Sequence, residues 1–464
     1  VSELKEGGKS IVALMAALLV AIFAFQLNAS MLSPALATMS KELNTTDAQI
    51  ALTQTVFFTA AALFSLFLPR LADIAGRKKV LLGILVATTV GCIISALAAN
   101  VTFLMIGRVL QGAAGPVVPM CLIMLHHRVT EEKRYTKLMA ILTSVNGGIA
   151  GVDALLGGWL AEVGGFRAVF AAMAVIAACA IVLVFLFAEE STAKETPAMD
   201  WLGVFFLVVA MGTLITAINE MQKLASANWL YAGVLVLVAA VCFVAFWQTE
   251  KRKKAPMVST FYMKQRRTWG LLLTTTLTMT GVFAVMNGIV PAIAQDPKYG
   301  TGLGATVMSF ATLTPYALIG LAFGPVAGVL ASKFGYRAVL RGGLIVTLVG
   351  VAAGFFVAAH PSIWGLVLVS VILGFSYAGT ANIMLNGLGI VLSPEDNPGY
   401  LPGLNAGAFN LGAGLSYVAL YAALNMFTGS SVTAGYTAAL GTGLVLVVLA
   451  LLASFLIPQP GSDE

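Results

Sequence analysis

Arg108 and Asp153 are the residues of this sequence best placed to do chemistry, because each sits deep inside a long apolar run. An ionisable side chain costs several kcal/mol at such depth, so one that is kept there marks a functional position. The two runs form a hairpin around the basic turn from His126 to Lys137, and both residues lie at nearly the same distance from its centre. At about 1.5 Å per residue, each falls roughly 10 Å below the far ends of the helices. Level charges of opposite sign on adjacent helices can pair, and protonating the acid then frees the arginine. The expectation is that Asp153 binds a proton and Arg108 is its switchable partner. The alternative is a static ion pair that only pins two helices.

Neutral polar residues in the same kind of run are the candidates for touching a substrate. They are Gln26 and Asn28 in the first run, Gln111 in the fourth, Asn146 in the fifth, Asn287 in the ninth, Asn382 and Asn386 in the twelfth, and Asn405 and Asn410 in the thirteenth. A membrane amide must find a hydrogen-bond partner, and another helix serves as well as a ligand. Phe283, Tyr377 and Phe409 offer aromatic walls. With no deep carboxylate besides Asp153, a neutral, zwitterionic or weakly anionic small molecule is a better fit than a permanent cation.

Other chemistries find no support. His126, His127 and His360 fall at the edges of runs, and no Ser/His/Asp set accompanies them. Cys92, Cys121, Cys179 and Cys242 lie inside apolar runs without a CxxC spacing, so neither a disulfide framework nor a metal site is expected. No phosphate-cradling G-x-x-x-x-G-K-[ST] loop occurs, which argues against ATP drive. The expectation is a protein that is not an enzyme and needs no cofactor.

The elements that must hold these residues are membrane helices. Of 464 residues, 59% are hydrophobic and 10% charged, whereas soluble domains carry about 25% charged residues. The apolar runs are continuous, approach the roughly 20 residues of a spanning helix and lack barrel alternation. Cutting at charged and Gly/Pro-rich turns gives about fourteen spans. The basic residues are scattered over short turns, which excludes a nucleic-acid patch. Lys5, Lys9, Arg70, Arg77 to Lys79, Arg128, Lys133, Arg134, Lys137, Lys194, Lys251 to Lys254, Lys264, Arg266, Arg267, Lys333, Arg337 and Arg341 collect on one side, against Lys41, Arg167, Lys223 and Lys298 on the other. This bias of roughly five to one places both termini in the cytoplasm of a cell with a multi-pass inner membrane protein.

The chain also repeats itself. Leu71 to Leu81 and Leu330 to Leu340 share the frame L-A-x-x-x-G-x-[RK]-x-V-L, each after the second helix of a six-helix set. The expected organisation is residues 1–188 and 268–464 as two six-helix bundles. Residues 189–267 form a linker with two inserted spans, Trp201–Ile218 and Trp229–Gln248. Two such repeats around a midplane cavity are a transporter architecture.

At these residues the chain resembles the major facilitator superfamily and, within it, the fourteen-helix drug:proton antiporters. Leu71, Ala72, Asp73, Gly76, Arg77 and Lys78 match the family's G-x-L-A-D-x-x-G-R-[KR] loop, with Pro69 in place of the first glycine. Arg108 to Gly112 is similar to R-x-x-Q-G, Lys333, Gly335 and Arg337 to the weaker second loop, and Asp200 to Gly203 to the fourteen-helix branch. The resemblance implies an all-α bundle and proton-driven efflux of a small molecule by alternating access. It also implies a cytoplasmic gate at Asp73, Gly76, Arg77, Lys78, Lys333, Gly335 and Arg337, and a protein that works as a monomer in the bilayer. Two departures weaken the transfer of cation-drug antiport, and the second leaves uptake by proton symport open. Asn28 stands where an L-D-x-[ST] acid is usual, and Asp153-Ala154-Leu155-Leu156-Gly157-Gly158 replaces G-P-x-x-G-G.

Overall fold

The computed structural model describes residues 10–194 and 197–461, so Lys5 and Lys9 lie outside the described residues. Every regular element among them is helical. Among the described residues, thirteen helices are long and apolar enough to cross a membrane. They are α1 (Ile11–Glu42), α2 (Asp47–Ala75), α3 (Arg77–Ala96), α4 (Val101–Arg128), a helix over Lys133–Phe187, α7 (Trp201–Met221), α8 (Trp229–Arg252), α9 (Arg266–Gln295), α10 (Ala305–Phe334), α11 (Tyr336–Ala359), α12 (Ile363–Val391), α13 (Tyr400–Thr428) and α14 (Val432–Ser454).

The helix over Lys133–Phe187 has 55 residues and at about 1.5 Å per residue would be far longer than a bilayer is thick. It is broken at Gly165, whose φ of 70° and ψ of −171° are not helical. The parts before and after it, α5 (133–164) and α6 (166–187), run as two passes and bring the number to the fourteen expected. The inserted helices α7 and α8 extend three and four residues beyond the sequence boundaries. The extension of α7 is tied by Glu220, which accepts from Lys223 Nζ at 2.6 Å and from the Asn228 amide at 2.7 Å.

Local signals explain six of the helix starts. Thr46, Asn100, Asp200, Asn228, Ser362 and Ser431 each accept an amide from the first turn of the helix that follows, the pattern of an N-cap. Irregular backbone is confined to the helices around the centre. A 3-10 turn at Ser33–Ala35, opened by Pro34, bends α1, and a turn over residues 113–116 interrupts α4. π-helical turns occupy Val285–Ile289 of α9 and Gly374–Ala381 of α12. Such segments are frequent at functional sites.

The starts and ends of the helices define two faces. Leu14 near the start of α1 lies beside Arg128 at the end of α4 and Phe187 at the end of α6, and Arg266 at the start of α9 donates to Leu456 O just after α14. This face also carries Arg77, Lys78 and Lys333, and is called the basic face below. On the opposite face the first and last six helices are closely joined. Thr55 of α2 donates to Gly414 O of α13 at 2.8 Å, Thr314 of α10 donates to Gly151 O of α5 at 2.7 Å, and Glu162 of α5 accepts the Thr306 amide and hydroxyl of α10 at 3.0 and 2.9 Å. The inserted pair packs chiefly on itself and rests its Leu207 and Phe246 near Leu63 and Leu66 of α2 and Leu404 of α13.

Candidate functional site

Arg108 is fully buried, at 0% exposure. Its guanidinium donates to Gln111 Oε1 at 2.5 Å, one turn on, to Gln54 Oε1 of α2 at 2.7 Å and to Asn28 O of α1 at 3.3 Å. It lies over the Phe57 ring, 4.2 Å from the centroid. Every one of these partners is neutral. Arg108 Nε and Gln54 Nε2 find no hydrogen-bond partner at all.

Asp153, at 1% exposure, takes a hydrogen bond from the Ser30 hydroxyl, and its second oxygen, Oδ1, has no partner. The expected Arg108–Asp153 pair is therefore not formed. The reason is geometric. Arg108 reaches α1 at residue 28 and Asp153 reaches it at residue 30, and at 3.6 residues per turn these two positions point to nearly opposite sides of a helix. The first helix runs between the two charges, which a comparison of depth along α4 and α5 could not reveal. Close approach of α1 to α5 depends on Gly157, one turn beyond Asp153, where a Cβ would stand 2.1 Å from Met31 O.

Beside this pair lies a cavity of about 650 Å³ between the two helix sets. Its walls include Phe25, Gln26 and Ser30 of α1, Phe58 of α2, Thr143 and Ser144 of α5, Met279, Phe283 and Asn287 of α9, Tyr316 and Pro325 of α10, Tyr377 and Asn382 of α12, and Phe409 and Asn410 of α13. Among the described residues, none that lines the cavity is Asp, Glu, Lys, Arg or His. The cavity reaches toward the basic face along α5, α10, α12 and α13. Its other end is floored by Asn287, whose Oδ1 accepts from Ser33 at 3.3 Å and whose backbone oxygen accepts from Tyr417 at 3.3 Å. Beyond that floor a second cavity of about 430 Å³, lined by Lys41, Asp47, Glu162 and Asp296 among others, opens on the opposite face.

The sequence candidates divide sharply against this geometry. Gln26, Asn287, Asn382 and Asn410 line the cavity, with Phe283, Tyr377 and Phe409 as aromatic wall. Asn28 and Gln111 do not. Asn28 donates to Ala24 O at 2.6 Å and Gln111 donates to Ser95 at 2.8 Å, both at 0% exposure and turned toward Arg108 or its neighbours. Asn146 is outside the cavity wall, with its Oδ1 buried and unpartnered. Asn386 is exposed and donates to Asn382 Oδ1 at 3.2 Å. Asn405 is a helix tie, accepting from Thr275 at 2.7 Å and donating to Leu385 O at 3.1 Å. Phe25, Ser30, Phe58 and Tyr316 were not among the candidates, although Ser30 stands one turn from Gln26 in the first-helix motif.

The loop residues expected to gate lie at the basic face. Asp73 accepts from Arg77 Nε at 2.9 Å, Gly76 turns with φ 118°, and Lys78 Nζ donates to Phe185 O at 2.9 Å. Lys333 lies over the Phe334 ring at 5.3 Å, Gly335 turns with φ 87°, and Arg337 follows in the first turn of α11. All of these contacts stay within one half, and none bridges the halves as Glu162 does.

Helices in two sets of six, a central cavity and irregular backbone at its walls agree with the sequence model of the Major Facilitator Superfamily, which matches residues 18–417. The chain belongs to this superfamily. It is a multi-pass membrane protein and a secondary transporter of the superfamily's type, not an enzyme. A curated relative, the uridine/deoxyuridine transporter of Lactococcus lactis subsp. cremoris, is 65% identical over 457 residues, spanning 97% of this chain and 95% of the relative. Multidrug resistance protein 3 of Bacillus subtilis is 25% identical over 61% of this chain and 54% of its own length. Among solved structures, a peptide transporter of the POT family in complex with sulfate gives a TM-score of 0.71 at 14% identity, covering 99% of this chain and 98% of that one. The nucleoside transporter NupG gives 0.64 at 13% identity, covering 95% and 100%. At such identities these structures speak for the fold alone.

Proposed function

We propose that this transporter takes up pyrimidine nucleosides of the uridine and deoxyuridine kind together with protons, and that Asp153 is the proton site. The observation that carries the reading is the uncharged wall of the central cavity. A nucleoside is neutral, has a flat base that stacks on rings, and presents donors and acceptors that amides can match. A pocket of about 650 Å³ falls in the usual range for small-molecule sites, and the 65% identical relative is named for this substrate class. The same wall offers no carboxylate to a cationic drug, which weighs against the efflux implied by the wider family resemblance. The basic face is taken as cytoplasmic from its Lys and Arg loops. The conformation is then closed outside, and substrate release into the cell is its natural next step.

Proton coupling rests on Asp153, a buried acid that meets the cavity wall through the Ser30 hydroxyl. Arg108, held by three neutral groups across α1, stabilises the first-half core rather than the proton.

Counterflow in proteoliposomes tests the reading. Vesicles preloaded with uridine are expected to accumulate labelled uridine, with competition from deoxyuridine and none from ethidium. An inward-directed proton gradient is expected to drive net accumulation in empty vesicles, and Asp153→Asn is expected to remove that drive while keeping exchange. Absence of uridine counterflow in vesicles that extrude ethidium would establish the efflux reading instead.

A further inference from the structure

Ser30 carries more hydrogen-bond partners than a hydroxyl can serve in every protonation state. Its Oγ lies 2.9 Å from Gln26 O, 3.1 Å from Gln26 Nε2 and in hydrogen-bond contact with Asp153 Oδ2. A hydroxyl has one hydrogen to give and two lone pairs to fill. Gln26 Nε2 can only donate and fills one lone pair. Gln26 O can only accept and needs the hydrogen.

Asp153 decides the rest. With a proton, its O–H fills the second lone pair, the Ser30 hydrogen goes to Gln26 O, and all three contacts are made at once. Without one, the carboxylate competes with Gln26 O for the single hydrogen, and a buried charge is left with one donor and an unpartnered Oδ1. A carboxylate outcompetes a carbonyl that already serves its own helix. The hydroxyl then turns from α1 toward α5, and its lone pairs rotate out of line with the Gln26 Nε2 donor, which weakens that contact.

We infer that the Ser30 hydroxyl is the relay that reports the protonation of Asp153 to the Gln26 amide on the cavity wall, tying nucleoside affinity to proton binding. The saturated junction holds the Gln26 side chain at one end, with its Oε1 left to accept a donor from the nucleoside. The unsaturated one loosens it. The protonated transporter is therefore the tighter binder, and by reciprocity bound nucleoside strengthens the hold on the proton. Ser30 acts as a positioning residue, working through Gln26. The groups facing Asp153 leave the relay to this one hydroxyl. Between Ile11 and Ser30, α1 has no charged residue, and α10 brings Thr314, Ala317 and Leu318 against Gly151, with Tyr316 facing the cavity. Arg108 is across α1, and Glu162 lies more than two turns further along α5 at the opposite face.

The inference rests on the uptake reading above, and the test separates the two. Equilibrium binding of labelled uridine to the purified full chain in nanodiscs is measured from pH 5 to pH 9. The wild-type affinity is expected to fall about fivefold or more as pH rises, the lower range of ordinary coupling between sites. Asp153→Asn, whose amide donates as the protonated acid does, is expected to bind at the tighter level throughout. Ser30→Ala is expected to reduce the pH dependence to less than about twofold, and Ser30→Thr, which keeps the hydroxyl, to retain it. Full wild-type pH dependence in Ser30→Ala overturns the relay while leaving Asp153 as the proton site. Undiminished pH dependence in Asp153→Asn overturns the proton reading itself. If Ser30→Ala binds too weakly to titrate, Gln26→Met decides, since it keeps the hydroxyl and the acid but removes the amide: a flat profile supports the relay and a wild-type profile overturns it.

Discussion

The two copies of the duplicated loop, Leu71 to Leu81 and Leu330 to Leu340, share a frame but not a structure around it. In both, a glycine with positive φ joins two helices, Gly76 at 118° and Gly335 at 87°. The first copy is clasped by the segment after α6. Glu190 accepts the amides of Lys78 at 3.0 Å and Lys79 at 3.2 Å, Arg77 N donates to Ser191 O at 2.9 Å, and Ala193 N donates to Asp73 O at 3.1 Å. In the second copy a Cβ on Gly335 would meet no atom within 4 Å. There the position matching Arg77 is Tyr336, whose ring packs where a Cβ on Gly387 of α12 would go. Duplication copied the turn, and the carboxylate that caps it came from elsewhere in the chain.

The largest separation between the copies is expected from alanine at the two glycines. Gly335→Ala meets only the backbone penalty of its glycine-only conformation, φ 87° and ψ 153°, about 1–3 kcal/mol. Gly76→Ala meets that penalty and also drives a Cβ to 2.7 Å from the Glu190 carboxylate, displacing the cap of α3 for a total of about 2–4 kcal/mol. Thermal unfolding of the two variants in one detergent measures the gap, and equal losses would erase the distinction drawn between the loops.

Removing the cap alone sharpens the cause. Glu190→Ala leaves the amides of Lys78 and Lys79 to water at the start of α3, at a cost of about 1 kcal/mol. In the Gly76→Ala background most of that cost is expected to vanish, because the carboxylate has already been displaced. Additive losses in the double variant would mean that the glycine and the carboxylate act independently.

How much could be read from the sequence follows the same division between pattern and partner. Spans, repeat and inserted pair follow from composition and spacing, because bilayer thickness dictates helix length. The break at Gly165 was legible as a turn between two apolar runs. Depth along a helix was also legible, and it set Arg108 and Asp153 level. Rotation about the axis was not, since α1 stands between them and only the packed bundle shows it. The amides divided for that reason: Asn28 and Gln111 turn toward Arg108, while Gln26 and Asn410 turn into the cavity. Glu190 and Glu162 are not legible as caps in the sequence, because an acid at a helix edge looks like any solvated charge until the helix it caps lies beside it.

The smallest expected effect on stability bears most directly on the gate assigned to the first loop. Asp73 and Arg77 form an i,i+4 pair whose acid side chain is 31% exposed. Pairs of that kind contribute about 0.3–0.5 kcal/mol, so Asp73→Ser should barely move the unfolding temperature. The reciprocal change, Ser332→Asp, should not add a pair at all, because one turn on it meets Tyr336. An acid that matters only to this conformation would then matter little to transport. The gate proposal requires the opposite, that Asp73 takes a second partner across the halves when the basic face closes. It predicts a fall in uridine counterflow of at least about tenfold for Asp73→Ser, equivalent to about 1.4 kcal/mol of lost stabilisation in the other state. Ser332→Asp should leave counterflow within about twofold, since the second copy has no counterpart to that switch. A counterflow loss in Asp73→Ser no larger than its small stability loss would reduce the acid to a local helix pair and return the gate to the opposite face, where Glu162 already joins the halves.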